Sequence, residues 1–174
     1  MLHLKGKNIY LRALEPSDLD FLYQLENNTE VWEVSGTLTP YSKKVLQLYL
    51  ENAHRDIYEV KQLRLCICNQ ENKVIGLVDI FNFDPSNLRA GIGIIILDEQ
   101  DRGKGAGEEA LELVMKYCFS VLNLHQLYAN ILESNEPSKR LFQKLDFERV
   151  GVKKDWLLTN GEFKNEVLYQ KIKS

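Results

Sequence analysis

The chain has 174 residues, 44% of them hydrophobic and 27% charged, with a formal net charge of −3. That length and balance fit a folded domain with a substantial core and exclude a disordered chain. The small negative charge and the lack of any Lys/Arg block argue against nucleic acid as the main partner. The longest apolar stretch, Ile92 to Leu97, is interrupted by Gly93 and is far too short to cross a membrane, so no membrane partner is expected.

The N-terminal stretch MLHLKGKNIYLR lacks the apolar core and cleavage site of a signal peptide. Cys66, Cys68 and Cys118 form no CxxC motif and read as reduced, buried, small apolar residues. These features together predict a cytoplasmic protein. His3, His54 and His125 are far apart in sequence and show no HxxxH spacing, so no metal is expected.

Asn8 to Leu14 alternates in the manner of a first strand. EPSDLDFLYQLENN follows, with an early Pro, early acids and Leu19, Leu22 and Leu25 at helical spacing. TEVWEVSGTLTP, from Thr29 to Pro40, reads as a polar and aromatic loop. Tyr41 to Tyr58 reads as a second helix, opened by Pro40 and Ser42. Leu63 to Cys68 and Val74 to Phe83 are rich in β-formers and form a predicted hairpin around NQENK. DPSN turns the chain into the strand RAGIGIIIL.

A third helix is predicted from about Gly103 to Ser120, with Glu108, Glu109 and Glu112 in the half that suits the helix dipole. Gln126 to Leu132 is a strand, and Asn135 to Leu145 a helix with Pro137 in its first turn. FERVGV and EFKNEVLYQKI are closing strands, with the Asn-Gly of a tight turn in Thr159 to Gly161. No repeat or linker divides the chain, so residues 1–174 read as one domain. The order βααβββαβαββ predicts an α/β fold, a mixed sheet with helices on both sides.

The most informative stretch is QDRGKGAG, residues 100–107. It places Gly103, Gly105 and Gly107 at every second position where a strand hands over to a helix. Unpaired N–H groups and the dipole at a helix N-terminus favour an anion, and glycine lets a phosphate approach the backbone. Arg102 and Lys104 add positive charge. A Walker A loop needs Ser or Thr after its Lys, but Gly105 follows Lys104. A dinucleotide fingerprint needs a third glycine where Glu108 stands. A pyrophosphate explains the loop best, and a ligand-free glycine turn remains the alternative.

RGKGAG resembles the pyrophosphate loop of the GNAT superfamily of acyl-CoA-dependent N-acyltransferases, Gln/Arg-x-x-Gly-x-Gly/Ala. AGIGIIILDEQD before it is similar to that family's fourth strand. LNLHQLYANILESNEPSKRLFQKLDF resembles the strand and helix that follow, and NGEFKNEVLY the closing hairpin. The resemblance covers about residues 7–172. Within the superfamily the chain is most similar to the bacterial spermidine/spermine and the ribosomal-protein N-terminal acetyltransferase groups.

The resemblance implies a single mixed, mostly antiparallel sheet, twisted and splayed, flanked by helices (α+β). It implies acetyl transfer from acetyl-CoA, used as a cosubstrate, to a polyamine, a diamine or a protein N-terminus, by direct attack on the thioester. A homo-oligomer is an expected partner state. The backbone of Arg102, Gly103, Lys104, Gly105, Ala106 and Gly107 would hold the pyrophosphate. Ile95, Ile96 and Leu97 would pair with the pantetheine amides, and the Leu97 N–H would face the thioester oxygen as an oxyanion donor. Asn135 would bond the pantetheine arm, with an N-cap as its plain structural role. Ser138 and Phe142 would stand beside the cofactor.

The chain departs from the family at two places. Phe142 replaces a Tyr that in many relatives protonates the departing thiolate. Gly91 stands where relatives often carry a Glu that serves as base or anchors a water relay. Asp146 also replaces a common Gly. A thiol near pKa ~8.5 leaves tolerably without an acid, whereas a Lys-like amine at ~10.4 needs a base far more than an α-amine at ~7.8. The departures therefore weigh more against a polyamine than against a protein N-terminus. Relatives that bind polyamines carry an acidic cluster between the first two helices; this chain keeps Glu30 and Glu33 there but gains Lys43 and Lys44, which weakens the polyamine reading without excluding it.

Glu33 and Asp79 are the candidate replacement groups. Glu33 also reads as a solvated loop acid, and Asp79 as an ion-pair partner of Arg12 or Arg89. Tyr128 and Tyr169 read as core or rim, and Trp32 and Trp156 as amine-pocket walls or packing. A non-catalytic acyl-CoA-binding module is the rival to the enzyme.

Overall fold

The computed structural model describes residues 4–174. His3 and the first residues of the N-terminal stretch lie outside the described residues. A seven-stranded sheet runs in the order β1-β2-β3-β4-β5-β7-β6. The strands are β1 (Ile9–Ala13), β2 (Leu63–Asn69), β3 (Val74–Asp84), β4 (Arg89–Ile96), β5 (Gln126–Leu132), β6 (Glu148–Thr159) and β7 (Glu162–Ile172). Every pairing is antiparallel except β4 with β5. The mixed, mostly antiparallel architecture is the one expected.

The helices are α1 (Leu19–Glu26), α2 (Thr29–Ser35), α3 (Lys43–Glu51), α4 (Ile57–Val60), α5 (Ala106–Ser120) and α6 (Glu136–Lys144). Four of them differ from the sequence expectation. The predicted loop after α1 contains α2, opened by the Asn28 side chain accepting from the Glu30 N–H and closed by Gly36 at φ +71°. The predicted helix Tyr41–Tyr58 is two helices. Asn52 ends α3, and Asp56 starts α4 by accepting from the Tyr58 N–H. Helix α5 begins at Ala106 because Gly103 and Gly105, at φ +70° and +84°, lie outside helical geometry. β6 also runs on beyond FERVGV to Thr159.

Strand alternation divides the core between the two faces of the sheet. One face holds Ile67, Val78, Ile80, Ile92, Leu111, Val114, Leu127, Phe142 and Tyr169 under α5 and α6. The other holds Leu22, Leu25, Val31, Leu46, Leu50, Cys66, Cys68 and Leu77 under α1, α2 and α3. All the cysteines are free and buried, and burial pushes the Cys66 and Cys118 thiols up to about 12. Among the described residues no cluster of His, Cys, Asp or Glu is arranged to hold a metal, and no helix is long and apolar enough to cross a membrane.

One buried ion pair fastens the start of α1 to the sheet. Asp18 is 3% exposed and accepts two hydrogen bonds from the Arg12 guanidinium, at 2.8 Å each, and one from the Glu15 N–H at 2.7 Å. Burial alone would raise its pKa. The Arg12 hydrogen bonds, the Glu15 amide and the Arg12 charge outweigh burial and hold it below the ordinary carboxylate value. Asp18 therefore stabilises the fold above the unfolded carboxylate pKa of about 3.9, and loses that contribution as pH falls through its lower folded value. Asp18→Ala leaves Arg12 without its partner and is expected to cost about 3 kcal/mol at pH 7. Urea unfolding of both proteins at pH 7 and pH 3 checks this, and the gap between them narrows at the lower pH.

Candidate active site

The parallel pairing of β4 with β5 is short: Arg89↔Gln126, Ala90↔Leu127 and Gly91↔Tyr128. Beyond Gly91 the two strands part. β5 spends the rest of its length on β7, from Gln126↔Ile172 to Leu132↔Glu166. The gap opens into a cleft of about 760 Å³. Ile94, Ile95 and Ile96 form one wall, Leu132, Ser134, Asn135, Ser138 and Leu141 the opposite one. Arg102, Gly103, Gly105 and Gly107 close one end, and Glu30, Val31 and Glu33 of α2 overhang it.

The glycine loop has the shape an anion needs. No side chain caps α5, so the N–H groups of Ala106, Gly107 and Glu108 are left without intrahelical acceptors. A Cβ at Gly103 or Gly105 would meet nothing within 4 Å, so the approach to these amides is open. The acids of the first turn are engaged, although Glu108 lines the cleft. Glu108 pairs with Lys144 at 2.6 Å, and Glu109 accepts from the Asn8 backbone N–H at 3.0 Å. The loop, the exposed amides and the cleft thus fit a diphosphate joined to an extended arm, as acetyl-CoA is. Lys104 is exposed and Ala106 is packed in the core, and neither side chain lines the cleft.

The open edge of β4 requires a correction. The Leu97 N–H donates to the Ile75 carbonyl at 3.0 Å, so it faces β3 and is already used. Successive residues of a strand point their backbone groups to opposite sides, which turns those of Ile94 and Ile96 toward the cleft. Leu97 is therefore not the free donor, and Ile94 and Ile96 are. Ile95 reaches the cleft by its side chain on the other face of the sheet.

On the far wall, Asn135 caps α6 by accepting from the Ser138 N–H at 3.2 Å. Among the described residues nothing accepts from its Nδ2, which leaves that donor available. Phe142 was expected beside the cofactor and lies elsewhere. It is 2% exposed and packs edge-on against Phe147, with ring centroids 5.1 Å apart, while Leu141 faces the cleft. Helical rotation of about 100° per residue separates the two side chains.

Neither candidate acid is free. Asp79 accepts from Arg64 at 2.7 and 3.2 Å, and Arg64 also donates to Glu26 at 2.8 Å. Its partner is therefore neither Arg12, which holds Asp18, nor Arg89, which holds Asp84. Burial disfavours the Arg64 cation, but the Asp79 charge and hydrogen bonds, with Glu26, outweigh it and hold it charged. Asp79 does not line the cleft. Glu33 does, but it pairs with Lys164 of β7. Trp32 is fixed by donation to the Glu26 carbonyl at 2.8 Å, and Trp156 is 59% exposed under Lys153. Tyr169 is core.

On the face covered by α1 to α3, Phe81 lies over Gly91. A Cβ at Gly91 would come within 2.2 Å of the Phe81 ring, which also meets Tyr128 edge-on at 5.9 Å between centroids. The sequence reading noted the missing Glu at position 91 but not the ring that fills its place. It also passed over Ile94 and Leu141, whose place in the cleft depends on register and helix phase.

Comparison with known proteins agrees with this geometry. Residues 8–148 match the family model described as acetyltransferase (GNAT) domain. The chain is 32% identical over 161 residues to the spermidine N(1)-acetyltransferase of Escherichia coli K12, covering 92% of this chain and 83% of that one. Over 82 residues, 47% of this chain and 40% of the relative, it is 40% identical to human alpha/beta-tubulin-N-acetyltransferase 9. The crystal structure of spermidine N-acetyltransferase from Vibrio cholerae in complex with CoA and spermine superposes with a TM-score of 0.85 at 25% identity, covering 96% of each chain. The glycine loop, the splayed strands and these likenesses converge: the chain belongs to the GNAT acetyltransferase family and is an acetyl-CoA-dependent N-acetyltransferase.

Proposed function

We propose that the acceptor is an amine of low basicity, cheaply deprotonated at neutral pH, with a peptide α-amine as the best fit. The observation that carries this reading is Gly91 beneath the Phe81 ring. No carboxylate stands where a base would take a proton from an ammonium ion, and the nearby Asp79, Glu26 and Glu33 are each engaged by a cation. An α-amine at pKa about 7.8 needs about 1 kcal/mol to deprotonate at pH 7, and an alkylamine at about 10.4 needs about 4.6 kcal/mol. The likeness to a tubulin N-acetyltransferase supports a protein acceptor.

In this reading the pyrophosphate of acetyl-CoA lies on the amides that open α5. The pantetheine arm follows the free edge at Ile94 and Ile96, with Asn135 Nδ2 opposite. The acceptor nitrogen attacks the thioester carbonyl from the α2 side. A backbone N–H of Ile94 or Ile96, in place of Leu97, stabilises the oxyanion. The carbon–sulfur bond breaks, CoA leaves as thiolate, and the proton lost by the nitrogen passes to solvent. Polyamines are the second reading, favoured by the spermidine acetyltransferase relatives and by Glu30 in the overhang.

Mass spectrometry of acetyl-CoA reactions with peptides and with spermidine at pH 7 and pH 9 separates the two. An α-amine acceptor gives peptide product at pH 7 with a gain of no more than about sevenfold at pH 9, whereas an unassisted alkylamine would gain about a hundredfold. Spermidine turnover at pH 7 matching that of peptides would reverse the assignment. Gly105→Ala forces a side chain into φ +84° at the phosphate end. It is expected to weaken CoA binding about tenfold by calorimetry.

We also propose a homo-oligomer built on the β6–β7 hairpin, where Trp156, Leu158 and Phe163 are each about 60% exposed. Replacing Leu158 and Phe163 together with Glu is expected to reduce the mass measured by light scattering, and an unchanged mass would remove the hairpin from the interface.

A further inference from the structure

The Arg102 guanidinium does not reach toward the loop it precedes. It folds back on the end of β4, where Nε donates to the Ile96 carbonyl at 3.1 Å and Nη2 to the Leu97 carbonyl at 3.2 Å. The Ile96 carbonyl belongs to the open edge of β4, the edge with which an extended arm carrying amide N–H groups would pair. Arg102 also lines the cleft beside Gly103 and Gly105. Among the described residues no carboxylate pairs with it. An exposed cation thus rests on neutral acceptors, one of them a group a ligand needs.

Anionic phosphate oxygens add charge–charge attraction and bidentate geometry that a neutral carbonyl cannot offer a guanidinium. A diphosphate beside Arg102 therefore outcompetes the Ile96 and Leu97 carbonyls for it. The loop itself does not depend on Arg102. Lys73, at the start of the neighbouring hairpin strand, holds Asp98 at 3.2 Å and Asp101 at 3.6 Å.

We propose that Arg102 is a positioning residue that exchanges between the Ile96 carbonyl and the diphosphate, uncovering the β4 edge for the amide arm only when a diphosphate is there to receive it. This rests on the reading that acetyl-CoA occupies this cleft. It makes Arg102 a selector of the whole cofactor over fragments that carry the arm without the phosphates. Such fragments must displace the guanidinium and give it nothing in exchange.

The proposal predicts effects of opposite sign, read by binding rather than turnover. Calorimetry and ligand-observed NMR would compare wild type and Arg102→Ala with CoA, with dephospho-CoA and with pantetheine. CoA and dephospho-CoA are expected to bind the variant about three- to tenfold more weakly, both having the diphosphate. Pantetheine is expected to bind it about twofold more tightly. Equal weakening of pantetheine and CoA would overturn the exchange and make Arg102 a fixed brace of the strand end. Unchanged CoA binding would make it a bystander. Lys73→Ala supplies the contrast, because losing the loop brace weakens the phosphate-bearing ligands and leaves pantetheine without its gain. Failure of wild type to bind CoA at all would instead overturn the reading of the cleft.

Discussion

The site depends on the short parallel contact between β4 and β5. Three residue pairs hold the strands together, and after Gly91↔Tyr128 they separate. β5 stays in the sheet after the separation because β7 pairs with its other side along its whole length. It leaves β4 with one side of its ladder open past Gly91, and a polar edge of that kind favours an extended amide chain as a partner. The strands are parallel, so both end at the same side of the sheet and the helices that follow both begin there. The cleft therefore collects two helix N-termini. That of α6 is capped by Asn135, and that of α5 is left uncapped behind its glycines. The difference decides which end receives the anion.

Charge around the cleft follows a consistent arrangement. Lys144 holds Glu108, and Asn8 holds Glu109, at the end where phosphate belongs. Without these contacts two carboxylates in the first turn of α5 would oppose a diphosphate. On the acceptor side Arg64 occupies Asp79 and Glu26 together, and Lys164 occupies Glu33. Glu30 stays exposed at the start of α2. The acceptor surface thus carries less free negative charge than its count of acids implies.

Much of this was legible in the sequence, and the two misplaced site residues share a cause. Glycines between a strand and a helix, an Asn before a helix with Pro in its first turn, and alternating apolar runs are local signals, and each stood where expected. The misplacements all concern phase. Leu97 was one residue off, and in a strand one residue turns the N–H to the opposite neighbour. Phe142 was one residue off on a helix, which exchanged cleft for core. Arg64 escaped notice because of a bulge. Counted from the turn after β2, Arg64 would oppose Val78, but the register shift between Ile67 and Cys68 brings it to Asp79. Short α2 was missed because a helix of its length owes its place to packing more than to periodicity.

The two departures from the family pattern have one physical meaning. At position 91 a carboxylate would collide with Phe81, so the missing base is a space already filled. At position 142 the ring is enclosed at 2% exposure against Phe147, so a missing hydroxyl removes nothing from the cleft wall as built. On the proposed reading, the reacting centre has a backbone donor on the edge of β4, the thioester of acetyl-CoA and an approach between α2 and the sheet. Orientation and a fixed N–H dipole can carry an acyl transfer when the nucleophile is already neutral and the leaving group is a good one. A thiol near pKa ~8.5 meets the second condition, and an amine near ~7.8 comes within about 1 kcal/mol of the first at pH 7. On the proposed reading, the absence of both proton-handling groups is chemically coherent, because the demand for low basicity then falls on the substrate.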